Sequence, residues 1–265
     1  RVGAFCDKLF IDACRAGGEK YAELLEIAYR QTIAAHKLVL DENDDILFIS
    51  KECYSNGCAA TVDVSYPSTP MFLIYNPELV KGMIRPVYKF AQSDAWKFDF
   101  APHDVGQYPL LNGQVYGNNA LKYQMPVEEC GNLLVMETNV ALATGTADFA
   151  AQHLDVLTGW CEYLIKYGAD PENQLCTDDF AGHWAGNCNL AIKAIMGVAG
   201  YAELAKMKGL DDVYEKYNAK AKEMAAAWES ETKVKDHYEL AYGAGGYELV
   251  LQRMDTAADE GNKAD

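Results

Sequence analysis

Residues 189–229, NLAIKAIMGVAGYAELAKMKGLDDVYEKYNAKAKEMAAAWE, hold two helical patterns hinged at Gly209-Leu210. In the first, 189–208, the residues Leu190, Ala191, Ile192, Ala194, Ile195, Met196, Val198, Ala199 and Leu204 leave almost no polar side. Such a helix must be enclosed by other helices. The second, 211–229, keeps a polar face and belongs farther out. A glycine joint this short between two helices makes an antiparallel helical hairpin. The same arrangement occurs upstream, where patterns at 127–144 and 147–167 meet in a turn around Gly145.

Working outward, Asn76-Pro77-Glu78 starts a helix expected at 77–92: a capping Asn, a proline at the first helical position and an acid beside it. From 19 to 40, Tyr21, Leu24, Leu25, Ala28, Ile33 and Leu38 keep nearly a 3.6 period and predict a long amphipathic helix. It should end in the run Asp41-Glu42-Asn43-Asp44-Asp45. That run lacks the central Gly and closing Glu of an EF-hand and reads as a solvated helix-end turn. Ile46-Leu47-Phe48-Ile49 and Ala60-Thr61-Val62-Asp63-Val64, separated by Ser55-Asn56-Gly57, predict a β-hairpin at about 46–64. Stacked helical hairpins with long loops opening on one end describe an all-α fold, an α/α toroid. Six helices are recognisable, and the toroid is expected to be incomplete. It is expected over 1–240, with a poorly ordered end at 241–265.

The chain has 265 residues, of which 50% are hydrophobic and 23% charged, ample for a buried core and unlike a disordered tail or a coiled coil. Its net charge of −16 repels phosphate backbones and anionic headgroups, which argues against nucleic acid and membrane partners. The chain starts at Arg1, which suggests a processed chain or a fragment. Eight cysteines show no tight framework spacing. Cys53 and Cys58 flank a turn-forming stretch and could close a small disulfide loop.

Chemistry should reside in the loops. The segment from Ser93 to Pro126 is too long for an ordinary connector and is rich in aromatics, Gly and Pro, which marks it as functional. No Gly-x-Ser-x-Gly elbow, His-Glu-x-x-His pair, P-loop or dinucleotide fingerprint occurs, so carboxylates are the remaining route. Cys176, His183 and Cys188 are metal-capable but lack a fourth ligand, and neither a metal nor another cofactor is expected.

The strings APHDVGQYPLLNGQVYG (101–117), MPVEECGNLL (125–134) and DPENQLCTDDFAGHWAGNCNLAIKAIMG (170–197) closely resemble the glutaminase A-like family of secreted bacterial and fungal proteins. SNGCAATVDVSYPSTPMFLIYNPELV (55–80) agrees with them. The resemblance covers about residues 20–240. It implies an (α/α)6 toroid related to the six-hairpin glycosidases, a preceding β-sandwich and further helices beyond this segment, and a secreted or cell-surface location. It also implies glutamine amide hydrolysis. Glycoside hydrolysis by a carboxylate pair, on a small-molecule or glycan substrate, is the alternative from site chemistry. A non-catalytic carbohydrate- or peptide-binding module, or an inactive fragment, is the other.

Glu128, Asp104, Asp178 and Asp179 are the candidate catalytic acids, and each has a plainer reading. Glu128, with Glu129, can simply stabilise a helix dipole. Asp104 can make an Asx-turn, and Asp178 or Asp179 can cap a helix. Candidate substrate-binding residues are His103, Tyr108, Asn112, Gln114, Tyr116, Glu129 and His183. The histidines can equally be satisfied structural residues, and the tyrosines core packing. If one rim carries the site, then Asp104, Gln114, Glu128, Asp178 and His183 should converge on one cavity.

Overall fold

The computed structural model describes residues 2–52, 56–115, 117–179 and 182–244. Two terminal helices, α1 (Val2–Gly17) and α2 (Glu19–Ala34), precede a two-stranded antiparallel sheet of β1 (His36–Leu40) and β2 (Ile46–Ser50). A helical turn α3 (Val62–Ser65) leads into α4 (Thr69–Tyr75) and α5 (Pro77–Ala91). A long irregular segment then reaches α6 (Pro126–Thr144), which is followed by the short α7 (Asp148–Ala151) and by α8 (Leu154–Tyr167). After a second loop come α9 (Cys188–Met207), α10 (Asp211–Thr232) and a minimal β3–β4 hairpin (Lys233–Val234, His237–Tyr238).

The expected helical hairpins are present. Gly145 and Gly209 both adopt the left-handed conformation, with φ of 73° and 71°, and reverse the chain after α6 and α9. The buried helices α6 and α9 lie side by side, α8 packs across both, and α10 covers α9. The seam between α6 and α9 is made of small residues. A Cβ on Gly131 would come within 2.9 Å of the Lys193 carbonyl oxygen, and one on Gly197 within 3.2 Å of the Gly131 Cα. A Cβ on Gly200 would sit 2.5 Å from Thr138 Oγ1. The two backbones therefore touch almost directly, with Leu133, Leu134, Leu164, Leu190, Val198 and Leu204 filling the core beside them.

Four expectations need correction. The helix predicted for 19–40 stops at Ala34, because residues 36–40 pair with 46–50 in the register Leu38↔Phe48 and Leu40↔Ile46. The β-hairpin therefore spans 36–50 and not 46–64, and residues 62–65 are helical. The acidic run is the hairpin's turn: Asp41 Oδ1 accepts the Asn43 and Asp45 N–H groups at 2.8 and 2.9 Å, and the Lys89 ammonium neutralises Asp41 and Glu42. The helix expected at 147–167 breaks between Ala151 and Leu154.

At the far end, Cys188 donates its N–H to the Leu240 carbonyl and Tyr242 donates to that of Gly186, so residues 240–242 are pinned to the start of α9. The remainder of the expected loose end, 245–265, lies outside the described residues, as do Cys53, and with it the proposed Cys53–Cys58 bridge, and Tyr116. Among the described residues no helix is long and apolar enough to cross a membrane.

Candidate functional site

Four chain segments meet at the N-terminal end of α6. Residues 58–62 and 101–107 are zipped together by backbone bonds: Ala59 N–H to the Gly106 carbonyl at 2.7 Å, Val105 N–H to that of Ala59 at 3.1 Å and Val62 N–H to that of His103 at 2.9 Å. The Ala101 N–H donates to Cys130 Sγ at 3.2 Å and fixes the loop against α6. These contacts set His103 between Asp63 at the start of α3 and Glu129 in the first turn of α6. The third acid, Asp104, is completely buried. Its Oδ1 accepts the Gly106 N–H at 2.8 Å and its Oδ2 lies 2.7 Å from His103 Nδ1.

On the other side of the ring, His103 Nε2 lies 3.4 Å from Asp63 Oδ1. A Glu129 carboxylate oxygen lies within 4.8 Å of both groups. Burial alone would favour neutral imidazole, but the carboxylates of Asp104, Asp63 and Glu129 outweigh it and hold the His103 pKa up to about 11. Glu129 is raised well above the usual carboxyl range by burial first, then by repulsion from Asp63 and Glu128. Its Oε2 accepts from Asn132 Nδ2 at 3.0 Å, while its buried Oε1 and the Asn132 Oδ1 have no hydrogen-bond partner.

One residue earlier, Glu128 faces a different set of groups. Its carboxylate accepts the Thr177 N–H at 2.7 Å, the Thr177 hydroxyl and the Lys193 ammonium. Lys193 comes from α9 across the glycine seam and also stands 5.1 Å over the Tyr66 ring. The loop after α8 is fastened here a second time, because Gln174 Oε1 accepts the Val127 N–H at 2.9 Å. Beside this anchor sits the half-buried Asp178, whose pKa is raised by burial and then by the Glu128 charge, against a smaller pull from Lys193.

The residues singled out from the sequence divide accordingly. Asp104, His103 and Glu129 form one buried cluster, and Glu128 with Asp178 forms an adjoining one. Gln114 donates to the Asp104 carbonyl at 3.2 Å and accepts from Gln124, so it braces the loop from inside. His183 is half-buried, with Nδ1 3.7 Å from Cys176 Sγ, a thiol that burial pushes up to about 12. Asp179 is exposed, and its carbonyl accepts the Gly182 N–H. Tyr108 and Asn112 lie on the exposed side of the 107–112 stretch, Tyr108 beneath the Lys51 ammonium at 5.5 Å.

Asp104 and Gln114 thus stand with His103 and Glu129, while Glu128, Asp178 and His183 stand with the Thr177–Cys176 loop, and the two sets adjoin through the consecutive residues Glu128 and Glu129. A cavity of about 200 Å³ lies elsewhere, lined by Lys81, Arg85, Thr144 and Asp148 at the opposite end of α6.

Asp63, Thr177 and Lys193 were not anticipated. Asp63 is hidden in a stretch that reads as a strand. Lys193 carries a usable signal, since it is the single charge between Leu190 and Tyr201 on an otherwise apolar helix.

Buried carboxylates gathered where loops close over stacked helical hairpins define a helical-hairpin domain with an acidic end. A family model of the glutaminase A six helical-hairpin domain matches residues 18–253, and the chain belongs to that family. It is 35% identical over 253 residues to Glutaminase A of Aspergillus oryzae, covering 94% of this chain and 36% of the relative. A probable glutaminase of Arthroderma benhamiae is 27% identical, with 94% and 35% covered. The chain therefore spans about a third of the length of these curated relatives.

Proposed function

We propose that the intact protein hydrolyses the side-chain amide of glutamine, with Asp178 as proton donor to the departing nitrogen and Glu128 as its positioning residue. In this reaction water adds its oxygen to the amide carbon, the C–N bond breaks, and the nitrogen takes up a proton to leave as ammonia. A carboxyl group serving as donor must still carry its proton near neutral pH. The observation that carries the reading is the Glu128–Thr177–Asp178 arrangement. Glu128 is locked in place by Thr177 and Lys193, and its charge, added to burial, favours the protonated form of its half-buried neighbour Asp178. The names of the relatives supply the substrate class.

Ammonia release from L-glutamine by the intact protein is the direct test. Asp178→Asn should lower kcat by 10²-fold or more, the range of general acid catalysis, with little change in KM. Glu128→Gln should move the upper limb of the pH–kcat profile to lower pH, because the charge that raises Asp178 is gone. Unchanged turnover in Asp178→Asn rejects the assignment.

Glycoside hydrolysis is the second reading. A carboxylic acid beside further carboxylates on a helical-hairpin scaffold also suits proton donation to a glycosidic oxygen. Reducing-sugar release from a glycan panel, without ammonia release, would decide for it.

A further inference from the structure

We propose that Asp63, His103 and Glu129 form a binding site for a divalent metal ion of the zinc type, with Asp104 as the group that orients the histidine. The proposal stands independently of the reaction assigned to Asp178.

Geometry carries it. His103 is held through Nδ1 by Asp104 Oδ2 at 2.7 Å, and Asp104 is itself fixed by the Gly106 N–H at 2.8 Å. This is the arrangement by which a carboxylate sets the tautomer and direction of a metal-binding imidazole; an ion bound at Nε2 displaces the proton that the surrounding carboxylates hold there in its absence. What faces Nε2 here is not a hydrogen-bond acceptor in good geometry. Asp63 Oδ1 lies 3.4 Å away and makes no hydrogen bond. Bonds of about 2.0–2.2 Å to zinc place two ligands on neighbouring corners of a tetrahedron about 3.4 Å apart, so the observed separation is that of two ligands sharing an ion.

The third donor is Glu129, with a carboxylate oxygen within 4.8 Å of both partners. Its side chain is fully buried, Oε2 is steadied by Asn132 Nδ2, and Oε1 has no partner at all. Leaving a buried carboxylate oxygen unpaired is costly, and a cation satisfies it together with Asp63. One imidazole and two carboxylates suit zinc better than calcium, which takes six to eight oxygens, or magnesium, which keeps its waters. Cys58 also lies near His103 and Asp104, the pair already joined through Nδ1. The three ligands come from α3, the 101–107 loop and α6, so an ion here would tie together three segments distant in sequence.

The test is made on the intact protein, stripped with a chelator and titrated with Zn2+ against a chromophoric competitor. Co2+ is used in parallel for its visible ligand-field absorption. The wild type should bind one equivalent that Asp63→Asn and Glu129→Gln lose, and Asp104→Asn should weaken it about 10- to 100-fold, as loss of an orienting carboxylate does. Asp148→Asn, an exposed acid at the other end of α6, should leave it unchanged. Equal zinc stoichiometry and affinity in wild type and Asp63→Asn would overturn the proposal, as would saturation by Ca2+ but not by Zn2+. If the variants fail to fold, zinc-edge anomalous scattering from wild-type crystals decides. A peak within bonding distance of His103 Nε2 and Asp63 Oδ1 supports the site, and zinc bound only elsewhere refutes it.

Discussion

Replacing Glu137 with Gln should stabilise the protein above neutral pH and leave it nearly unchanged in acid. Glu137 is fully enclosed on α6, where Oε1 accepts the Tyr88 hydroxyl at 2.5 Å and Oε2 has no partner. Tyr88 is also buried, and His153 stacks on its ring at 3.8 Å. Burial raises the Glu137 pKa to about 7; the Tyr88 bond and the charges of Lys81 and Arg85 pull it only partly back. The unfolded chain releases this proton near 4.5. Between those values the folded state binds the proton more tightly, so the contribution of Glu137 becomes unfavourable as pH rises from 4.5 and levels off above 7. One pKa unit corresponds to about 1.4 kcal/mol, which makes the full effect about 3 kcal/mol. Gln keeps the acceptor for Tyr88 and carries no charge, so it resembles the protonated acid at every pH. Denaturant unfolding of wild type and Glu137→Gln at pH 4.5 and pH 8 measures the difference, which should grow from near zero to about 3 kcal/mol in favour of the variant. A variant that is less stable at pH 8, or a difference that does not vary with pH, would refute the reasoning.

Further expectations concern the seam and the anchors. Lys193→Met should destabilise the fold by about 3–5 kcal/mol, because Glu128 would be left charged and buried. Adding Glu128→Gln should recover much of that loss in a double-mutant cycle read by chemical denaturation. Gly131→Ala should lower stability by about 1–3 kcal/mol, since its Cβ meets backbone and not a movable side-chain end; a thermal melt unchanged from wild type would show that the helices separate easily. Asn187 caps α9 by accepting the Asn189 and Leu190 N–H groups at 2.9 and 3.0 Å, and Asn187→Ala should cost about 1–2 kcal/mol in the same assay.

The helices of the toroid were legible because their information is local. Pro77 after a capping Asn, glycines at 145 and 209, and the unbroken apolar surface of 189–208 each state their role within a few residues. The β1–β2 hairpin was not, because Leu38 and Leu40 satisfy a helical pattern as well as a strand, and only the partner segment 46–50 decides between them. The acidic end was half legible for the same reason. His103, Asp104, Glu128 and Glu129 stand in conspicuous loop and helix-start strings. Asp63 and Lys193 acquire meaning only when α3 and α9 are brought against α6, since neither has a neighbour in sequence that would reveal its partner in space. Gln114 shows the opposite error: a polar residue in a promising loop that turned inward to support it.

The glycine seam between α6 and α9 bears on how this domain can change over evolution. Backbone against backbone leaves no side-chain rotamers to absorb a shift, so the offset between Glu128 and Lys193 is rigidly indexed, like two gear teeth in mesh. A sliding helix would have to jump a full turn of about 5.4 Å, and would lose the pair altogether. Diversity in this family should therefore accumulate in the 93–125 and 168–187 loops, which can be rebuilt around a fixed pair of helices. Lineages that lose Gly131 or Gly197 should be those that have also abandoned the Glu128–Lys193 pair.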